Sequence, residues 1–388
     1  MNLKVLHITH TDINKDPRII KSIKAIDKLS WIEVYGIGIQ DSSHYSRRFE
    51  TKDSIDINSI TLKLFSKKLT FLPNILRHLF TLLEFLLRSF FIINKFKPSV
   101  IHCHDTLALP IAILFKVFHS KLKLIYDAHE LGSNRNGIDN FFSKIVYFFE
   151  KITWRFIDHF ISVSPSIIKW YEEEYGRKKN TLILNSPEIE TKKTKNSNGF
   201  RKKFLINDDE KLFIYVGEIN KGRGITNLLE IFKDLKSRIL FLGYGPLVNK
   251  VKDFEKNYSN IHYHEAVEPD SLISLIQEAD VGLCLVERVS LSDYFCLPNK
   301  LFEYAFAGLP VIASDFPDIK FLVEKYDLGF CCDSGSIKDV KKNIERYESI
   351  IKISKNDVSK LHDLSWQKQE LNLINVYRRL REDFDISS

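Results

Sequence analysis

The sequence lacks the features that mark a disulfide-stabilised secreted protein. Its cysteines include no Cys-x-x-Cys pair, and no signal peptide precedes the first apolar segment. Most of the cysteines lie within apolar runs, which predicts buried free thiols in a reducing compartment. We therefore expect a cytoplasmic chain. The five cysteines are Cys103, Cys284, Cys296, Cys331 and Cys332.

The sequence also lacks an apolar run free of charge that could span a bilayer. The most apolar stretch, residues 74–93, is interrupted at helical spacing by a polar stripe of Asn74, Arg77, His78, Thr81, Glu84 and Arg88. No nucleic-acid motif is present, although the formal net charge is +7 and the pI is about 8.9. We expect anionic partners, namely nucleotide diphosphates or an acidic lipid surface, and no nucleic acid.

Two segments leave a choice between a membrane surface and a protein core. Residues 74–93 have a wider apolar face than one core contact needs, and residues 141–160 combine aromatic side chains with basic ones. Basic helices of this kind bind anionic membrane surfaces, but buried helices of an α/β layer give the same pattern. The basic residues concerned are Lys67, Lys68, Arg77, Arg88, Lys144, Lys151 and Arg155.

A chain of 388 residues suits two α/β domains, and strand and helix patterns alternate along it. In the first domain we predict strands at Leu3–Thr9, Trp31–Gly38, Ser99–Asp105, Leu122–Tyr126, His159–Ser164 and Thr181–Ser186. In the second we predict strands at 211–217, 238–243, 261–266, 281–286 and 310–314. A final helix is predicted over 364–381.

Residues 298–315 predict a short helix, a tight turn and a buried strand. Pro298 suits the helix entrance, and Gly308 with Pro310 ends the helix. Lys300 and Glu303 then share a face near the helix start, where free N–H groups and the helix dipole favour a diphosphate. Glu303 would accept hydrogen bonds from ribose. The alternative is an ordinary exposed pair at i,i+3.

Polar residues cluster where strands of the first domain end, which is where open α/β sheets bind ligands. The motifs are His102-Cys103-His104-Asp105 and Asp127-Ala128-His129-Glu130. The His-x-His-Asp pattern suggests a metal site. No further ligands follow at suitable spacing, so we expect no bound metal. Arg18, at a helix start, is either a ligand contact or a surface arginine.

Two glycine turns follow strands of the second domain. The first, Gly217 to Gly224, contains Lys221 and Arg223, and the second contains Gly243 and Gly245. Glycine lets the backbone approach a ligand closely, and the two cations suit a diphosphate.

The stretch Pro298-Asn-Lys-Leu-Phe-Glu-Tyr-x-x-x-Gly-Leu-Pro-Val-Ile resembles the donor site of family 4 glycosyltransferases, retaining enzymes of the GT-B fold. The run Tyr-Asp-Ala-His-Glu ending at Glu130 resembles the acceptor-domain loop of that family. Two departures stand out. Phe295 occupies the place of the first of two family glutamates, and Glu218 replaces an arginine that contacts the diphosphate. Arg223 and Lys300 are therefore predicted to hold the phosphates.

The resemblance implies two facing Rossmann-like domains with an active-site cleft. The expected boundaries are 1–186 for the acceptor domain, 187–200 for a linker, 201–363 for the nucleotide-sugar domain, and 364–388 for a helix packing back on the first domain. The expected catalytic residues are His129, Glu130, Arg223 and Lys300. The donor nucleotide is expected at Gly217, Lys221, Arg223, Gly243, Gly245, Asn299, Lys300, Leu301 and Glu303. Acceptor or sugar contacts are expected at Arg18, Asp105, Asp127 and His129.

The resemblance further implies transfer of a hexose-type sugar from a nucleotide-diphosphate sugar to a hydroxyl of a saccharide, with retention. A lipid-linked acceptor met at the inner face of the plasma membrane fits the apolar helices. No cofactor or metal is expected, because basic residues and N–H groups can stabilise the leaving group. Two rivals remain open: a sugar-nucleotide epimerase of the same architecture, and a catalytically decayed scaffold docked to a membrane.

Overall fold

The computed structural model describes residues 2–39, 58–64, 66, 73–188 and 199–387. The chain divides into two compact units, Met1–Ile183 with Glu370–Ser388, and Leu184–Gln369. Most of the predicted linker 187–200 lies outside the described residues. Lys67 and Lys68 also lie outside them.

The first unit contains a seven-stranded sheet in which every neighbouring pair is parallel. Its order is β3-β2-β1-β4-β5-β6-β7. The strands are β1 (Leu3–Ile8), β2 (Ile32–Ile39), β3 (Asn58–Leu62), β4 (Val100–His104), β5 (Lys123–Ala128), β6 (His159–Ser162) and β7 (Asn180–Leu182). Strand β4 is buried along its whole length and β5 at every residue after Lys123, as expected of a parallel sheet covered on both faces.

The helices of the first unit form two layers. They are α1 (Pro17–Asp27), α2 (Asn74–Phe96), α3 (Leu109–Phe118), α4 (Asn140–Thr153) and α5 (Pro165–Tyr175). Because crossovers between parallel strands are right-handed, helices that lead toward β7 share one face of the sheet and α1 takes the other. Helices α2, α3 and α4 therefore lie in one layer.

Helix α1 begins where the sequence predicts. The Asp16 carboxylate accepts hydrogen bonds from the backbone N–H groups of Arg18 and Ile19, and Pro17 occupies the first turn. Such a cap stabilises a helix by about 1 kcal/mol. It also fixes the position of Arg18, whose side chain enters the core.

The second unit has a six-stranded parallel sheet in the order β10-β9-β8-β11-β12-β13. Its strands are β8 (Leu212–Glu218), β9 (Arg238–Tyr244), β10 (Ile261–Glu265), β11 (Val281–Cys284), β12 (Val311–Ser314) and β13 (Gly329–Cys332). Its helices are α6 (Phe200–Lys203), α7 (Ile225–Phe232), α8 (Val248–Asn257), α9 (Pro269–Ile276), α10 (Leu291–Tyr294), α11 (Asn299–Phe306), α12 (Pro317–Lys325) and α13 (Ile337–Glu348).

The C-terminal helix α14 (Trp366–Ser387) packs on the first unit from Glu370 onward. The Tyr377 hydroxyl lies 2.7 Å from His102 Nδ1, and Lys28 after α1 forms an ion pair with Glu370. Helix α14 therefore covers the face of the sheet that carries α1.

The predicted α/β fold is confirmed, with each predicted strand present and its ends shifted by a few residues. Strands β3 and β13 were not predicted. Strand β13 has only four residues, too few to show an alternating pattern, and three of them are only half-buried. Among the described helices, none combines the length and apolar character needed to cross a bilayer.

The prediction of free and mostly buried cysteine thiols is confirmed. All five thiols are free; Cys103, Cys284 and Cys332 are buried, and Cys296 and Cys331 are half-buried.

Candidate functional site

Each sheet reverses its strand order at one point, and the candidate residues follow the strands at these points. The reversal lies between β1 and β4 in the first unit and between β8 and β11 in the second. Loops that leave the carboxyl ends of such strands diverge and leave room for a ligand. The first unit places Asp105 there, with His129 directly after the neighbouring strand β5, and the second places the turn that begins at Gly217.

Arg18 forms the central ion pair of the first unit. Its guanidinium donates to both carboxylate oxygens of Asp127, at 2.8 and 3.2 Å, and to the carbonyl oxygen of Ile183 at 2.8 Å. Both side chains are about 2% exposed, so the surface alternative for Arg18 is wrong. The polar atoms of Arg18 and Asp127 are therefore turned toward each other and are nearly inaccessible to solvent.

His129 lies directly after β5 and between two carboxylates. Its Nε2 is 3.7 Å from Asp127 Oδ2, and its Nδ1 is 3.6 Å from Asp105 Oδ2. Burial lowers the pKa of His129, but Asp105 and Asp127 outweigh burial and raise the pKa to about 9. The imidazole is therefore a cation at neutral pH, with 18% of its side chain exposed.

Asp105 holds this arrangement through the backbone. Its carboxylate accepts from the His129 N–H at 3.1 Å, while its own N–H donates to the Asp127 carbonyl oxygen at 3.0 Å. Asp105 adopts a φ of 60°, which is uncommon for a residue other than glycine and costs free energy. Glu130 is half-buried and lies 3.7 Å from Arg135.

Two groups of side chains in this region bring potential metal ligands within 4.8 Å of one another. They are His7 with His102 and His104, and His104 with Asp127 and His129. His7 and His104 are already hydrogen-bonded at 2.9 Å, and Asp127 is already neutralised by Arg18. The Nε2 atoms of His7 and His102 are buried and have no hydrogen-bond partner among the described residues.

Close backbone packing shapes the glycine turns of the second unit. Gly217, Gly243 and Gly245 have φ values of 114°, 158° and 145°, which favour glycine. A Cβ atom on Gly243 would collide with the backbone of Gly217. Among the described residues, a Cβ atom on Gly217 would instead meet only Lys300, at 3.8 Å. The turn is thus open on the side where Lys300 lies.

Lys300 extends from the first turn of α11 over the end of β8. Its Nζ lies 3.6 Å from the centre of the Tyr215 ring, a cation–π distance. Burial lowers the pKa of Lys300 to about 8, and the positive charge of Arg223 acts in the same direction. An anion bound nearby would stabilise the protonated ammonium and raise this pKa.

Tyr304 fixes α11 to the sheet. Its hydroxyl accepts from the Val216 N–H at 2.8 Å and donates to the Ile214 carbonyl oxygen at 3.2 Å. Gly282 of β11 makes room for the ring, because a Cβ atom there would overlap it. Lys300 and half-buried Glu303 are thereby held near the turn at Gly217.

The remaining candidates of the second unit differ in accessibility. Arg223 is half-buried, and its Nη1 forms an ion pair with Asp293 Oδ1 at 2.9 Å. Lys221 and Asn299 are exposed. Leu301 is buried, and its N–H donates to the Pro298 carbonyl oxygen. Of these candidates, Lys300 is the cation that lies nearest to Gly217.

Comparison with known families agrees with the arrangement. The sequence profile described as "Glycosyl transferases group 1" matches residues 196–381, and the profile "Glycosyltransferase Family 4" matches residues 49–187. The chain belongs to the group 1 and family 4 glycosyltransferases. The two matches follow one another along the chain and leave residues 1–48, 188–195 and 382–388 unmatched. The resemblance seen at residues 298–312 is therefore confirmed.

A relative of this glycosyltransferase is the chitobiosyldiphosphodolichol beta-mannosyltransferase of Candida albicans, 26% identical over 265 residues. The match covers 61% of the chain and 56% of that protein, so the chain spans little more than half of its length.

Two solved structures share the fold of the glycosyltransferase over nearly its whole length. Sucrose-phosphate synthase from Thermosynechococcus elongatus has a TM-score of 0.75 at 16% identity, covering 98% of this chain and all of the other. An Anabaena protein solved in complex with UDP has a TM-score of 0.70 at 12% identity, covering 99% and 100%. The predicted GT-B fold is confirmed.

Several residues of the candidate site were not found by sequence reasoning. His7 looks like one polar residue in an apolar strand, and Tyr377 and Tyr304 look like helix core positions. Asp293 is 70 residues away from Arg223, and no local pattern connects the two. Only Gly282, which interrupts an apolar strand, carries a signal of close approach.

Proposed function

We propose that this glycosyltransferase moves a hexose-type sugar from a nucleotide-diphosphate sugar to a hydroxyl of a lipid-linked saccharide. In this proposal the second unit binds the donor, with Lys300 and Arg223 on the diphosphate and Glu303 on the ribose. Gly217, Gly243 and Gly245 admit the nucleotide, and Lys221 and Asn299 line its approach. The first unit binds the acceptor and supplies His129. The group 1 and family 4 profiles do not favour an epimerase or a decayed scaffold.

The observation that carries the proposal is the position of Lys300. The ammonium of Lys300 is partly buried and lies at the first turn of α11. A Cβ atom on Gly217 would lie 3.8 Å from it. Ammonium, helix N–H groups and a close backbone are the components of a diphosphate site. Its lowered pKa of about 8 is a cost that an anion would remove.

Binding of nucleoside diphosphates tests this half of the proposal. Titration calorimetry with UDP, GDP, ADP and dTDP, and with the matching monophosphates, should find one base for which the diphosphate binds clearly more tightly. A protein that binds none of the four, or prefers a monophosphate, would not have this donor site.

We expect Glu303→Gln to weaken binding of the preferred nucleoside diphosphate on the order of tenfold, because a carboxylate–hydroxyl hydrogen bond contributes about 1.5–3 kcal/mol. The 2′,3′-dideoxy analogue lacks those hydroxyls and should bind both proteins with similar affinity. Calorimetric titration of both ligands checks this. Exposed Glu324→Gln of α12 is the matched control. Equal losses for the two ligands would mean that Glu303 does not contact the ribose.

Retention of the anomeric configuration is part of the proposal. An inverting transfer needs a general base beside the acceptor hydroxyl. His129 is a poor base because its pKa of about 9 keeps it protonated. Glu130 and Asp105 are the carboxylates that could replace it, and both are engaged, with Arg135 and with His129. The proton–proton coupling of the new anomeric centre decides the matter, and a product of inverted configuration contradicts retention.

The acceptor side of the proposal comes from the layer of α2, α3 and α4. Fifteen of the twenty-three exposed large hydrophobic side chains in the described part of the chain lie on these three helices. The alternative that α2 and α4 are fully buried core helices is therefore wrong. Phe90 of α2 packs on Phe115 of α3, so the apolar face is continuous from one helix to the next.

Charge indicates what covers this apolar face. The three helices contain six lysines and arginines and two acidic residues, of which Glu150 is buried. A basic apolar layer suits an anionic lipid surface, to which each basic residue contributes about 1 kcal/mol. The Candida relative is named for a saccharide that is linked to the lipid dolichol through a diphosphate. An acceptor of this kind would be met at a membrane surface.

We expect the protein to cosediment with vesicles that contain phosphatidylglycerol at low salt, and to be largely released near 1 M salt, where the Debye length falls to about 3 Å. Leu83→Ser, Leu87→Ser and Phe91→Ser together remove side chains that are 50–71% exposed and should abolish binding. The control is Leu205→Ser, Phe321→Ser and Ile351→Ser, which changes side chains of the second unit that are 57–98% exposed. Equal binding by the two triple variants, or no binding by the wild type, rules this surface out.

A further inference from the structure

Four histidines meet at the carboxyl end of β1, β4 and β5, and sequence reasoning gave a role to only one of them. His7, His102 and His104 are fully buried, with ring centres 4.4 to 5.2 Å apart and interplanar angles of 13° to 30°. His129 meets the edge of this stack, with a ring centre 5.3 Å from that of His104. Buried imidazoles are costly unless they are hydrogen-bonded.

The first hydrogen-bond chain runs inward from His129. Its Nε2 lies 3.2 Å from His104 Nδ1, and His104 Nε2 lies 2.9 Å from His7 Nδ1. Burial lowers the pKa of both His104 and His7 well below the usual value, so each ring carries a single hydrogen. His129 is protonated and must donate to His104 Nδ1. His104 then has its hydrogen on Nε2 and donates to His7.

The second chain comes from the C-terminal helix. His102 Nε2 lies 3.5 Å from Asp127 Oδ2, and His102 Nδ1 lies 2.7 Å from the Tyr377 hydroxyl. The pKa of Asp127 lies well below its usual value, since Arg18 and His129 outweigh its burial, so the carboxylate is ionised. His102 therefore turns a hydrogen toward Asp127 and accepts one from Tyr377. One set of hydrogens is compatible with both chains. It leaves the last hydrogen on His7 Nε2, which is buried and has no hydrogen-bond partner among the described residues.

A metal ion fits this cluster less well than a proton does. The lone pairs of an imidazole lie in its ring plane, so nearly parallel stacked rings such as His7, His102 and His104 cannot direct them at one ion. The other group shares Asp127 with Arg18, whose Nε is 3.2 Å from the oxygen that would bind the ion. With a proton on His129, two cations balance the carboxylates of Asp105 and Asp127. A divalent ion would leave excess positive charge buried.

We propose that His104, His7, His102 and Tyr377 are positioning residues for His129: the first chain turns the Nε2–H of His129 inward, and the second holds Asp127, one of the two carboxylates that flank its ring. The role of His129 in sugar transfer rests on the proposed function, but its orientation does not. The titratable and charged groups that face this ring from the surrounding elements are Asp105, Asp127, Arg18, His104 and His10.

The test measures His129 itself, by long-range ¹H–¹⁵N spectra of the histidine rings across a pH titration without substrate. His104→Leu removes the acceptor of His129 and should lower the pKa of His129 by about one unit or more. His104→Asn, whose Oδ1 replaces Nδ1, should restore most of the shift. His119→Leu, at an exposed position after α3, is the control and should change nothing.

Tyr377→Phe gives a second readout that removes one oxygen atom and keeps the fold. His102 should keep its hydrogen toward Asp127 but lose the donor to Nδ1, seen as a change in the ¹⁵N shift of Nδ1. Unchanged His129 pKa in folded His104→Leu, or an unchanged His102 Nδ1 shift in Tyr377→Phe, overturns the proposal. So does one equivalent of tightly bound zinc that His104→Leu removes. Each result stands whether or not the protein is found to transfer sugar.

Discussion

Lys300→Met is expected to weaken binding of the preferred nucleoside diphosphate by 10- to 100-fold and to leave the fold intact. Methionine keeps the apolar stem against Tyr215 but removes the ammonium, which as a charge-assisted partner of phosphate contributes about 1.5–3 kcal/mol. Titration calorimetry at pH 7.5 measures the change. Lys256→Met makes the same substitution at an exposed position of α8 and should bind like the wild type.

The pH dependence of binding identifies the group responsible. In the free protein the pKa of Lys300 is about 8, and a bound diphosphate should raise it. The complex then holds the proton more tightly than the free protein does. Affinity should stay level from pH 7 to 7.5 and fall as pH rises above 8, by up to about tenfold per unit. Lys300→Met should show no such fall. A wild-type affinity independent of pH up to 9.5 would remove Lys300 from the phosphate site.

His129→Ala is expected to lower kcat by about 100-fold or more, the usual range for loss of a group that donates to developing charge. Binding of the free nucleoside diphosphate to the second unit should change little, because His129 belongs to the first. The test measures, in the same variant, kcat for transfer and the dissociation constant of the nucleoside diphosphate. His119→Ala is the control. Normal turnover in folded His129→Ala would end the assignment.

The pH profile of turnover distinguishes a cationic His129 from a basic one. Its pKa of about 9 exceeds the unfolded value near 6.5, so the imidazolium form and the stability it adds are complete at low pH. Both are lost as pH rises through about 9. We therefore expect kcat in wild type to fall along with thermal stability above pH 8.5. A rate that rises through pH 9 would mean that the neutral ring acts as a base.

The parts predicted from the sequence are those set by local patterns. Pro298 and Gly308 bracket a helix of about two turns, and that spacing alone places Lys300 and Glu303 on its first turns. The strand ends were found because buried parallel strands are short apolar runs between polar loops. His129 was named because it follows such a run.

The parts that were missed depend on residues far apart in the chain. Arg18 could not be assigned to the core because its partner, Asp127, lies 109 residues away. Tyr377 and His102 are separated by 275 residues, and no local pattern connects the two. Whether α2 and α4 are buried in the core could be decided only from side-chain exposure, which periodicity does not provide.

The most direct test of the account supplies the protein with its preferred nucleotide-hexose and a diphosphate-linked lipid saccharide, and follows both substrates by mass spectrometry. The account predicts that the lipid saccharide gains one hexose while one equivalent of nucleoside diphosphate is released, and that Lys300→Met and His129→Ala make little product. An unchanged saccharide, with the nucleotide sugar bound but intact or converted to an epimer, would contradict it.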